Sequence, residues 1–191
     1  MSMLRTLATV GLLLPFTAAG APPPDPRFNS AGLLNFPADY REWIYVSTGF
    51  DMSYSEGRTE PGHSVFDNVF VDRASWATFT RTGHWPDGTM LVLEVRSAST
   101  KGSILKQGAY QTDGAVDVEV HLRDEARFEG GWAFFAFDGS APAKALPQTE
   151  RCYACHQSHA LLDTTFTQFY PTARALAVKA GTWPAEPPTT P

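Results

Sequence analysis

From Val116 to Leu122 the chain alternates without a break, with Val116, Val118, Val120 and Leu122 in one phase and Asp117, Glu119 and His121 in the other. Successive side chains of a strand point to opposite faces, so this segment predicts a strand with one apolar and one polar side. Four further windows, 43–46, 66–71, 90–96 and 131–137, are β-branched or aromatic runs bounded by Gly, Pro or Asp, and each reads as a strand. Pro86-Asp87-Gly88 and Asp113-Gly114 carry turn chemistry, and no long helix alternates with the strands in a βαβ rhythm. The expectation is an α+β fold built on a mainly antiparallel five-stranded sheet with short flanking helices. Those helices are placed at 38–42, after Pro37, at 73–82, between an Asp72 cap and Gly83, and at 171–180, ending at Gly181.

The two ends differ from this body. Arg5, an apolar run from Leu7 to Phe16 and small residues from Thr17 to Ala21 have the layout of a secretory signal peptide over residues 1–21, and the run is short for a membrane span. This points to export into a periplasm-like compartment, with no membrane segment after cleavage. Residues 22–29 form a proline-rich leader, 30–182 a single domain and 183–191 a flexible tail. The 191 residues, 43% of them apolar, suffice for one core. A net charge of -5 without any Lys/Arg run argues against nucleic acid as a partner.

The only two cysteines fall in Cys152-Tyr153-Ala154-Cys155-His156. C-x-x-C-H is the spacing for covalent haem attachment, in which two thiols reach two vinyl groups on one porphyrin edge and the next histidine binds iron. A thioredoxin-like redox pair also uses C-x-x-C, but within an α/β pattern and with no need of the histidine. A structural zinc site wants four ligands, and no second cysteine pair exists. A disulfide across so short a loop would remove little chain entropy. The spacing, the adjacent histidine and the signal peptide together favour one covalent haem c on Cys152 and Cys155, with His156 as the axial metal ligand.

The sixth iron position then decides the chemistry: a strong second ligand makes an electron carrier, and an open position admits small molecules. His63, His84, His121, His159, Met52 and Met90 are candidates, and nothing in their spacing selects one. His159 lies so close after the motif that it belongs on the proximal side.

Several separated blocks resemble the cytochrome P-460 family and its relatives, the β-type cytochromes c-prime. They are FPADYREWIYVSTG from Phe36, FDNVFVD from Phe66, TGHWPDGTMLVLEV from Thr82, RDEARFEGGWAFFAF from Arg123, and CYACH followed by QFYP from Gln168. The resemblance implies a homodimer of mainly antiparallel sheet domains with a five-coordinate haem, whose covalent links and axial ligand fall on Cys152, Cys155 and His156. In the cytochromes P-460 proper a lysine is also cross-linked to the porphyrin, and the enzyme oxidises hydroxylamine to nitrous oxide with nitric oxide. The β-type cytochromes c-prime lack the link, cap the pocket with aromatics and bind nitric oxide. The cross-linking position falls on Leu93, which cannot form the bond; Lys101 and Lys106 read as surface residues. The family's distal carboxylate, an acid/base group, falls on Glu119, and Phe66 and Phe50 are the candidate pocket caps. The resemblance therefore implies a binder of nitric oxide or another small N–O ligand, with hydroxylamine oxidation through a redox partner cytochrome as the alternative and simple electron transfer as a third reading.

Overall fold

Val118, Val120 and Leu122 are buried on one face of a sheet and His121 is buried on the other, as the alternation around them requires. The structure is a computed structural model that describes residues 25–52, 64–102 and 104–185. The signal-peptide segment and the end of the tail lie outside the described residues.

Five strands follow one another as neighbours in a single antiparallel sheet: β1 (Ile44–Phe50), β2 (Val65–Val71), β3 (Met90–Ser99), β4 (Tyr110–Arg123) and β5 (Trp132–Phe137). Three helices accompany them: α1 (Arg73–Thr82), α2 (Arg151–His159) and α3 (Pro171–Ala180). On one face, Met90, Val92, Val120, Leu122, Phe135 and Phe137 pack against Leu34 and Tyr40 of the N-terminal segment. On the other, Val71, Leu91 and Trp132 pack under Phe79 of α1, Trp85, Phe166 and Tyr170, with Ala173 and Ala177 of α3. The candidate site lies within this second layer.

α1 and α3 keep their expected limits because their ends are chemically marked. Asp72 accepts the Ser75 amide at 2.8 Å as an N-cap and the Met90 amide at 3.0 Å through its other oxygen, tying the helix start to β3. Gly83 ends α1 at φ 72°, and a Cβ there would lie 2.6 Å from the Ala180 Cβ, so glycine serves both the left-handed cap and the approach of α3.

Three expectations are corrected. The helix expected at 38–42 is one 3₁₀ turn, Tyr40–Glu42, too short to propagate against the following strand. The Asp113-Gly114 pair makes no turn, because β4 runs through it. The β3–β4 register slips there instead, from Arg96 opposite Ala115 to Ala98 opposite Gln111, and the Arg96 guanidinium donates to the Thr112 and Asp113 carbonyls at 2.8 Å. Residues 25–29 belong to the folded body: Phe28 bridges to Leu34 and packs near Phe135, and Arg27 pairs with Asp124 at 3.2 Å.

The irregular β3–β4 edge is held by a buried carboxylate. Glu94, only 2% exposed, accepts from Arg96 Nε at 2.6 Å and from Asn68 at 3.3 Å; the Tyr40 hydroxyl donates to its second oxygen, which Arg41 also reaches at 2.5 Å. Removing the carboxylate would strand the buried Arg96. Glu94→Ala is expected to lower the unfolding free energy by about 3 kcal/mol in urea denaturation, the scale for breaking one side of a buried ion pair.

Candidate functional site

An α-helix brings residues i, i+3 and i+4 to one side, so α2 turns Cys152, Cys155 and His156 together towards the sheet. Arg151, Ala154, Gln157 and Ser158 are exposed on the opposite side. Tyr153 fixes the helix to the end of the sheet: its hydroxyl donates to the Leu146 carbonyl at 3.0 Å and accepts from the Phe134 amide at 3.3 Å. The motif is legible in the sequence but its helix is not, since a nine-residue segment of low amphipathicity carries little periodic signal.

Immediately after α2, the chain reverses at Asp163 and Thr164, both left-handed at φ 48° and 53°, with the Thr165 amide closing on the Leu162 carbonyl at 2.8 Å. A β-branched residue in this region is costly, of the order of 1–3 kcal/mol. The reversal aims the Thr164 carbonyl at His156 Nδ1, 2.7 Å away. With Nδ1 donating its proton to that carbonyl, Nε2 carries the free lone pair, the tautomer an axial ligand needs. The ring is wedged between Phe134 and Phe166, at centroid distances of 4.7 and 4.4 Å. Burial pushes the His156 imidazole below its ordinary pKa, against the opposing pull of the Thr164 bond, and so favours the neutral form that binds metal.

His156 opens onto a cleft of about 810 Å³, counting the open solvent at its mouth. Val69, Leu91 and Leu93 make its apolar floor, Phe166, Phe169 and Tyr170 its opposite wall, and Asp67, Glu119 and His121 its polar groups. Leu93 sits directly across from Glu119 in the β3–β4 register and from Val69 in the β2–β3 register. Glu119 is pushed above the ordinary carboxyl range, first by burial and then by the charges of Asp117 and Asp67. Burial, with Glu119 next, pushes the Cys152 thiol up as well, which places that carboxylate within electrostatic reach of Cys152.

The other sequence candidates separate clearly. Phe66 and Phe50 pack against each other at a tilt, centroids 4.8 Å apart, and neither lines the cleft; Phe66 lies out of phase with the cleft residues Asp67 and Val69 on β2, on the opposite face of the sheet. Pocket caps at these positions are therefore corrected: the aromatic side of the cleft comes from Phe134, Phe166, Phe169 and Tyr170. Met90 is buried in the opposite core, His159 is exposed at the end of α2, His84 is bonded to Asp163, and His63 lies outside the described residues. Lys101 and Lys106 are exposed and line no part of the cleft. Met52 does line it. His121 packs edge-on to His156 with centroids 4.7 Å apart, the geometry of neighbours on one side of a metal rather than of ligands on opposite sides.

The donor set fits a haem of the c type. One imidazole nitrogen is free and correctly polarised towards a largely apolar cleft, and two thiols share its helix face, Cys152 within electrostatic reach of the cleft residue Glu119. Among the described residues no group of three or more His, Cys, Asp or Glu could hold a bare metal ion, which leaves the porphyrin reading ahead of the zinc reading. The cytochrome P460 family model matches residues 37–167, a span that starts before β1 and includes the C-x-x-C-H motif. The chain belongs to the cytochrome P460 family. Family membership makes it a haem-binding cytochrome, and its α+β fold with an antiparallel sheet agrees with that family. No curated protein matches the chain significantly. No helix among the described residues is long and apolar enough to cross a membrane.

Asp67, Phe134, Phe166 and Tyr170 were not among the sequence candidates. Asp67 was readable in principle, since it lies in phase with Val69 on β2; Phe134 sits on β5 across from His121, and Phe166 and Tyr170 come from a later segment that only the tertiary fold brings back.

The raised pKa of Glu119 makes its ionised form the costly one in the folded state. Below the ordinary carboxyl range Glu119 is protonated both folded and unfolded, and it exacts no penalty. As pH rises through that range towards the raised folded value the penalty appears, and above it the penalty is complete. Glu119→Gln is thus expected to raise the thermal midpoint at pH 7.5 by calorimetry, with the gain fading as pH falls through the ordinary carboxyl range.

Proposed function

We propose that this cytochrome is an exported mono-haem c-type protein whose haem is held covalently by Cys152 and Cys155 and ligated by His156. In this reading it binds nitric oxide or a similar small N–O molecule at an open distal position, without a lysine–haem cross-link. Haem supplies an iron with one position open to a small ligand; the protein supplies its surroundings. His156, held by the Thr164 carbonyl, presents Nε2 and keeps its ring from turning. Val69, Leu91, Leu93 and Phe166 exclude water from the cleft, an environment that favours neutral diatomic molecules over strongly hydrated ones. The observation that carries the reading is Leu93 in the cleft floor with no lysine among the described lining residues.

One observation favours the alternative, a hydroxylamine-oxidising enzyme forming nitrous oxide or nitric oxide with a redox partner cytochrome. Glu119 lines the same cleft with its carboxyl pKa raised by burial, so it holds a proton more readily than an ordinary carboxyl and is placed to pass one to or from a bound N–O group. Without a cross-linked lysine, the binding reading is preferred. A homodimer belongs to the same proposal; the half-exposed Phe50, packed against Phe66, is apolar surface for a second copy to cover.

Adding nitric oxide to the reduced holoprotein is expected to shift the haem absorption bands stoichiometrically. Hydroxylamine with an electron acceptor should give no sustained nitrous oxide in headspace analysis. Turnover that continues over many cycles and falls at least about tenfold in Glu119→Gln, within the usual contribution of a general acid or base, would replace the binding reading with the enzymatic one.

A further inference from the structure

An apolar cleft discriminates against charge of either sign. This cleft carries a sign. Its described lining includes two carboxylates, Asp67 and Glu119, and no lysine or arginine. They come from different strands: Asp67 opposes Val95 on β3, Glu119 opposes Leu93, and Leu93 therefore lies on the diagonal between them. Neither carboxylate has a salt bridge among the described residues.

Asp67 is built into place. At the end of β1, Asp51 takes a left-handed conformation at φ 51°, its amide donates to the Val65 carbonyl at 3.0 Å and its carboxylate accepts the Val65 amide at 2.8 Å. This reversal folds Met52 back over Gly49 so closely that a Cβ at Gly49 would lie 2.3 Å from the Met52 sulfur. The Met52 backbone amide bonds the Asp67 carboxylate. Among the described residues, Oδ2 of Asp67 is left buried without a hydrogen-bond partner, 3.5 Å from the position of that same Cβ. A second orphan shares the cleft: Nε2 of His121, a residue 7% exposed, also has no partner among the described residues. Two buried, unpartnered polar atoms in one cavity are what a ligand-facing surface leaves when its partner is the ligand or ordered water.

We propose that Asp67, together with Glu119, is a charge filter that holds anionic ligands away from the iron position while admitting neutral ones, so that Asp67 sets the ligand specificity of the site. The proposal rests on the haem reading above, but not on nitric oxide being the natural ligand. Two unit charges about 7 Å apart at an effective dielectric constant near 20 interact strongly enough to change an affinity more than tenfold, and partial screening at the open mouth reduces this.

The test uses the holoprotein at pH 8, with sodium azide as an anionic probe of the ferric form and carbon monoxide as a neutral probe of the ferrous form, both followed by haem absorption. Asp67→Asn keeps the shape and an oxygen for the Met52 amide. It is expected to tighten azide binding about tenfold and to leave carbon monoxide binding within about twofold. Added salt should tighten azide binding to the wild-type protein and have a smaller effect on the variant. Glu119→Gln should shift azide in the same direction, and it carries the test if Asp67→Asn does not fold. An azide affinity unchanged in both variants, equal shifts for azide and carbon monoxide, or a haem band that azide moves in none of the proteins would overturn the filter. A protein that shows the azide shift but binds no nitric oxide would support the filter and overturn the gas-binding reading.

Discussion

The hydrogen bond from His156 Nδ1 to the Thr164 carbonyl joins three separate parts of the molecule. It fixes the tautomer of the imidazole, it requires the left-handed turn at Asp163 and Thr164, and through that turn it sets the path of the segment leading to Phe166 and Tyr170. The turn is itself anchored, because Asp163 accepts the Trp85 amide at 2.8 Å and Trp85 Nε1 donates to Thr167 at 3.1 Å. The loop after α1, the motif-bearing helix α2 and the aromatic wall of the cleft are therefore one connected unit. Strain at Thr164 is tolerated because the surrounding bonds over-determine it.

The sheet beneath performs a different task. One face is an ordinary apolar core, closed by the N-terminal segment, with Glu94 and Arg96 clamping the irregular edge of β3 and β4. The other face is divided: its Val71 and Trp132 portion is covered by helices, while its Asp67, Leu93 and Glu119 portion is left for the cleft. Strand alternation alone decides which residues fall there, so a shift of one residue in β4 would exchange Glu119 for Val118 or Val120.

Much of this was legible in the sequence, for identifiable reasons. The five strands were readable because β-branched and aromatic runs carry a period of two; α1 and α3 were readable because Asp72, Gly83, Pro171 and Gly181 mark their ends. The motif residues needed no structure, since C-x-x-C-H is a local pattern. What was not legible is non-local. Asp113-Gly114 has the composition of a turn, yet Arg96 on the neighbouring strand draws the segment into a bulge. Phe66 is a candidate pocket cap by resemblance alone, and the phase of β2 places it on the far face. Asp67, the neighbour with the correct phase, was passed over because a lone aspartate in an apolar run reads as a solvent-facing residue until the cleft is seen.

The account stands on a single haem joined to α2 by two thioether links. Intact mass of the acid-denatured protein, produced with haem-attachment machinery, tests this most directly. The account predicts the mass of the mature chain plus one haem, unchanged by acid and organic extraction, and a chain free of haem when Cys152 and Cys155 are both replaced by alanine. Recovery of the bare polypeptide from the unaltered protein would contradict it.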